Sequence, residues 1–176
     1  MRREHFTRSL VFAALAAAGW LPFVLVAGPL LGGRTALSLY LVVLSAAYVA
    51  AIGGRAAVTA AAALAGAVLL AIARGPAGLV LGLGAVVAGL RSGLLWPRAP
   101  ARAVVLEVAL VGGGFVFARA LAGGTPVAVM LAIWGFFLVQ SVFFLVTGAA
   151  RRTPGRGDPF EEARRRALAL LDGAGV

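Results

Sequence analysis

The 176-residue chain has no cysteine and no lysine, a single histidine at position 5 and only six acidic residues. Without cysteine it can form no disulfide, thiolate nucleophile or thiolate-ligated metal site, and one histidine supplies neither a histidine-based ligand set nor a catalytic triad. No paired aspartates, no Gly-x-Ser-x-Gly motif and no acidic motif able to hold a metal against a phosphate occur in the apolar segments. An enzyme is therefore disfavoured, and no cofactor or metal is expected. All sixteen basic residues are arginine, the bias of a GC-rich bacterial genome, and no functional meaning is drawn from it. The formal charge of +10 does not point to nucleic acid, because the chain has no basic soluble domain and its arginines sit where membrane topology puts them.

What the chain has in excess is apolar surface. Hydrophobic residues make up 62% and charged residues 12%, and the mean hydropathy is +1.02, far from the globular range of about 45–50% and about 25%. Such a chain belongs in a bilayer. The basic "MRREHFTR" followed by an apolar stretch and Ala16–Ala18 has the layout of a secretory signal. Because the apolar run continues through "GWLPFVLVAGPLLGG" to Arg34, it is read as a first transmembrane helix and not as a cleaved leader.

Arginines at positions 8, 34, 55, 74, 91 and 119 punctuate the chain at roughly the 20-residue interval that a spanning helix needs. Six spans are predicted, at 9–31, 36–54, 56–73, 76–92, 103–118 and 126–149, making residues 1–150 an all-α transmembrane bundle. Thr125 followed by Pro126 suits a capped start for the last span. Spans three and four are short and separated only by "ARGPAG", so a re-entrant or strongly tilted pair fits nearly as well. Six spans put both termini on one side, and thirteen arginines against three (Arg34, Arg74, Arg119) place that side in the cytoplasm of a bacterial inner membrane.

Membrane helices associate through close approach and hydrogen bonds, since lipid is as apolar as leucine. Small-residue pairs at the required spacing are Ala62 with Gly66, Gly78 with Gly82, and Gly89 with Gly93, and are expected to serve packing within the chain or dimer contacts. In the sixth span Phe136-Phe137-Leu138-Val139 recurs seven residues later as Phe143-Phe144-Leu145-Val146, so paired members share a face. Gln140 lies inside this stripe, and Phe136, Gln140, Phe143 and Phe144 are predicted to contact another helix or a partner subunit. Ser38 and Ser45 share a face of span two, which also carries Tyr48, and such hydroxyls usually bond to carbonyls of their own helix.

Glu107 is the sole acid between Glu4 and Asp158. It lies five residues past Arg102, about 7–8 Å into its span, and no cation stands three or four residues away on its own helix. An antiparallel neighbour would bring Arg91 to a similar height, with Arg98 or Arg55 as alternatives. A structural ion pair between Glu107 and Arg91 is expected; proton or cation handling is less favoured because no titratable relay accompanies the carboxylate.

After a linker at 151–157, residues 158–173 have the marks of a short cytoplasmic helix. Asp158 can cap it, Pro159 occupies its first position, and Glu161–Arg165 and Glu162–Arg166 are spaced four apart. Phe160, Ala163, Ala167, Leu170 and Leu171 gather on one face. The near-neutral polar side favours docking on protein over docking on lipid.

The size and six-span layout are similar to those of the rod-shape-determining membrane proteins and of the substrate-binding subunits of energy-coupling-factor transporters. The "AALAA" of Ala13–Ala17 resembles the alanine spacing by which the latter contact their partner. The sequence thus supports a non-catalytic subunit or scaffold of a membrane complex, partnered by lipids and by other membrane subunits or further copies of itself. The alternative is a small-solute transporter or a substrate-capture subunit.

Overall fold

The computed structural model describes residues 2–53, 55–95 and 100–150, and the chain divides into two units, Met1–Leu145 and Val146–Val176. The first unit holds the bundle. Of the second, only the helical residues 146–150 are described. The linker and the tail helix of the sequence reading, with Phe160, Ala163, Ala167, Leu170 and Leu171, lie outside the described residues.

Six α-helices follow one another without a strand among the described residues: α1 (Arg2–Leu31), α2 (Gly33–Ala51), α3 (Ala56–Ile72), α4 (Pro76–Gly89), α5 (Pro100–Leu121) and α6 (Pro126–Ala150). A π-helical segment, Leu90–Leu95, continues α4. Five helices are long and apolar enough to cross a membrane, α4 counting as Pro76–Gly93, whereas α3 is shorter at 17 residues. At 1.5 Å per residue α3 is about 25 Å long, against a hydrocarbon core of about 30 Å. α1 and α5 run several residues beyond the expected spans of 9–31 and 103–118, because apolar periodicity marks the lipid-facing stretch and not the turns that project beyond it, whereas α2 lies three residues earlier than the expected 36–54 and α3 ends one residue before the expected 73.

Short joints force neighbours antiparallel. Gly32 alone joins α1 to α2 with φ of 77°, a left-handed backbone that glycine adopts without steric cost. At the start of α6 the Thr125 side-chain oxygen accepts the Ala128 N–H at 3.2 Å, and Pro126 fills the first position, where no N–H is needed.

α2 is the hub, packed against α1, α3 and α4, while α4 also meets α3 and α5. The interior is aromatic where α1, α2 and α6 converge. Phe12, Tyr48 and Phe137 meet in tilted and edge-on contacts with centroids 5.1–5.3 Å apart, and Trp20, Phe23 and Tyr40 form a second group. Polar handles tie these rings to backbone: Tyr40 Oη donates to the Ala16 carbonyl at 2.6 Å, and Trp20 Nε1 to the Pro126 carbonyl at 3.0 Å. Ala13, Ala16 and Ala17 are buried in this packing, so the alanine spacing that resembled a partner contact is used inside the chain.

The small-residue pairs divide. Ala62 and Gly66 are buried, and a Cβ on Gly66 would lie 2.9 Å from Val42 and 3.4 Å from Leu83; Gly82 is similarly close to Leu69. Gly78, Gly89 and Gly93 face open space. Tighter approaches fall elsewhere, at Gly19 against Tyr40 (2.7 Å), Gly84 against Val111 (2.7 Å) and Gly135 against Phe117 (2.6 Å). Gly84→Val should therefore overpack the α4–α5 contact and lower stability by about 1–3 kcal/mol, while Gly78→Val, into open space, should cost well under that. Thermal unfolding of the purified variants in a mild detergent checks the difference.

Candidate functional site

Arg91, at the second position of the π-helical segment, is fully buried, with 0% exposure, and four elements meet at its guanidinium. Nε donates to Glu107 Oε1 at 3.1 Å and Nη2 to Glu107 Oε2, a bidentate pair with α5. Nη2 also donates to Gln140 Oε1 at 3.1 Å, and Nη1 to the Gln140 carbonyl at 3.4 Å, both on α6. Nη1 completes the set with Tyr48 Oη of α2 at 3.4 Å. Guanidinium offers five N–H donors, so these five contacts meet its full donor capacity. Its carbon lies 4.0 Å from the centre of the Phe143 ring, a cation–π contact worth about 2 kcal/mol where water is excluded.

The partners are themselves held. Ser92 Oγ donates to Glu107 Oε1, so the carboxylate is oriented from two adjacent residues of one helix. Arg91 and Ser92 are consecutive residues of the π-helical segment, and both reach the same carboxylate. Gln140 Nε2 donates to the Leu110 carbonyl at 2.9 Å, joining α6 to α5, and Ser9 Oγ of α1 lies 3.4 Å from Tyr48 Oη. Five of the six helices are thereby linked through one cluster.

Of the residues singled out from sequence, the structure brings together Glu107, Arg91, Gln140 and Phe143. Phe144 is buried beside Phe143 with ring centroids 5.3 Å apart, and Phe136 lines the neighbouring cavity. Among the other cations weighed for Glu107, Arg55 is exposed at the start of α3 and Arg98 lies outside the described residues. Sequence reasoning missed Ser92 and the role of Tyr48. The one cue for Tyr48 was an aromatic hydroxyl deep in an apolar span. Ser45, by contrast, donates to its own helix at the Val42 carbonyl, 2.8 Å away.

Next to the cluster lies a cavity of about 570 Å3 between α2, α4, α5 and α6. Along α2 it runs from Arg34 to Ser45 and Tyr48, and along α6 from Val129 to Gln140, about 16 Å by helix rise over eleven residues. Arg34, Pro76, Arg119 and Ala122 are exposed at one end, where α2, α4 and α6 begin and α5 finishes. The other end stops at Tyr48 and Gln140, behind which Arg91 and Phe143 have no exposure. The cavity is lined mostly by apolar side chains, and Tyr48 and Gln140, both bonded to Arg91, form its floor.

Removing one member of a buried pair leaves an uncompensated charge, at about 3–5 kcal/mol, whereas exchanging both for apolar residues is often neutral. Glu107→Leu and Arg91→Met alone should each lower stability by about that amount, and the double variant should recover most of it. Arg91→Lys, a point charge in place of a planar fork, should behave like a loss and not like a conservative exchange. Unfolding curves of the four variants in detergent read this out. No family model, curated protein or solved structure matches the chain.

Proposed function

We propose that the chain is a non-catalytic, membrane-embedded binding protein that captures a small, largely apolar solute, most simply as the capture subunit of a transporter. The observation that carries this reading is the cavity of about 570 Å3, open at the Arg34–Arg119 end and within the size range of small-molecule sites. In this reading the deep end is closed by Tyr48 and Gln140, which line the cavity and are both bonded to Arg91, so the cavity is not a channel. Proton carriage through Glu107 has little support, since the carboxylate is bound by Arg91 and Ser92 and no further acid among the described spans forms a relay with it.

A non-catalytic subunit or scaffold of a membrane complex is the alternative reading. Gln140, Phe143 and Phe144 are buried within the chain, so the aromatic stripe offers little surface to a partner subunit. The remaining large exposed side chains, such as Leu64, Val68 and Ile72 on α3 and Val104, Val105 and Val108 on α5, are what lipid contact requires.

The arginine asymmetry supports a bacterial inner-membrane protein with both termini cytoplasmic. In that orientation the mouth at Arg34 and Arg119 opens outward and the Arg91 cluster lies toward the cytoplasm. A capture subunit needs this arrangement: solute enters from outside, and release waits on a partner that can loosen the floor.

Organic extraction of the protein purified in mild detergent, followed by mass spectrometry, tests the reading. A small molecule should be recovered from the wild type and be absent from Ala132→Phe, which fills the cavity, or from Val80→Phe should the first fail to fold. Identical extracts from wild type and a folded cavity-filled variant, together with a stoichiometric protein partner, would return the assignment to a scaffold.

A further inference from the structure

The cavity has a polar floor, an apolar wall and a charged mouth, and these differ in what they leave unsatisfied. At the floor, Ser45 Oγ donates to Val42, both polar atoms of the Gln140 side chain are bonded, and Tyr48 Oη lies between Arg91 and Ser9. The floor therefore asks for no polar group from a ligand. The wall is aliphatic and aromatic, with Leu37 and Leu41 from α2, Val80 and Leu83 from α4, and Ile133 and Phe136 from α6.

The mouth is different. Arg34 and Arg119 both line it, both are exposed, and neither has a hydrogen bond or ion pair among the described residues. No acidic residue lines the cavity. Arg34 stands in the first turn of α2, where the helix dipole already presents its positive end, and α4 and α6 also begin at this level. An anion at the mouth would meet two guanidiniums and relieve the unfavourable position of Arg34.

We infer that the cavity takes a single-chain amphiphile with one carboxylate, the chain descending between the four helices to the apolar side of Tyr48 and Gln140 and the headgroup held between Arg34 and Arg119. This rests on the binding-protein reading above and names its ligand class. A diacyl lipid suits the site less well, because its second chain would have to share the same mouth and the same single cup.

The probe is a diazirine-bearing long-chain fatty acid, photocrosslinked to the full chain in phosphatidylcholine nanodiscs and mapped by peptide mass spectrometry. Labelling should fall on the cavity walls of α2, α4 and α6 and vanish in Ala132→Phe or Val80→Phe. Unlabelled palmitate should compete, while hexadecanol, the same chain without charge, should compete about tenfold less well, as expected for loss of a charge-assisted contact. In Arg34→Gln/Arg119→Gln the acid and the alcohol should compete equally. Equal competition by acid and alcohol in the wild type, or stronger competition by phosphatidylglycerol than by palmitate, would overturn the ligand class and leave the binding reading standing. Labelling that the cavity-filled variants do not reduce would overturn both.

Discussion

A buried guanidinium is the constraint on which the bundle depends. In hydrocarbon an unpaired charge costs several kcal/mol, and lipid gives helices no hydrophobic reason to associate, so polar contacts and close backbone approach must hold them. Arg91 turns that cost into specificity. Its five donors are met only when α5 presents Glu107, α6 presents both the side chain and the carbonyl of Gln140, and α2 presents Tyr48 at one height. A shift of any of these helices by one turn, about 5.4 Å, would strand a charge. The net stability from such a pair is small relative to an apolar replacement, and its contribution is to fix axial register.

The same constraint divides the bundle into two regions. Around Arg91 the helices are drawn together and the aromatic rings of Phe137 and Phe143 close the interior. Beyond Gln140 no polar cluster pulls α2, α4, α5 and α6 inward, and they separate around the cavity. Close approach persists there only at isolated points such as Gly114 against Phe136 and Gly135 against Phe117. A partner able to weaken the Arg91 contacts would act on the floor and on helix register at once, coupling cavity shape to the opposite end.

Much of this was legible in the sequence because arginine is so costly in lipid. Arg34, Arg55, Arg74 and Arg119 lie at or next to helix joints, and depth alone paired Glu107 with the level of Arg91. Gln140 was identifiable as an inward residue from its place in the Phe136–Phe144 stripe. The π turn was not, since Gly89 and Gly93 read as a packing motif and nothing in their spacing separates that from a widened turn. Tyr48 and Ser92 join the cluster only through tertiary juxtaposition, which periodicity does not encode. The cavity was invisible for the same reason: Arg34 and Arg119 lie 85 positions apart in the chain and looked like topology markers.

The most direct test uses the absence of native cysteine. Ser45→Cys places one thiol at the floor of the cavity, and charged membrane-impermeant thiol reagents can then be applied to either face of oriented membranes. A cup sealed by the Arg91 cluster predicts labelling from the side on which Arg34 lies and none from the side of Arg102. Labelling from both faces would show an open passage through the floor, and labelling from neither would show that the cavity does not exist in the membrane; either result contradicts the account.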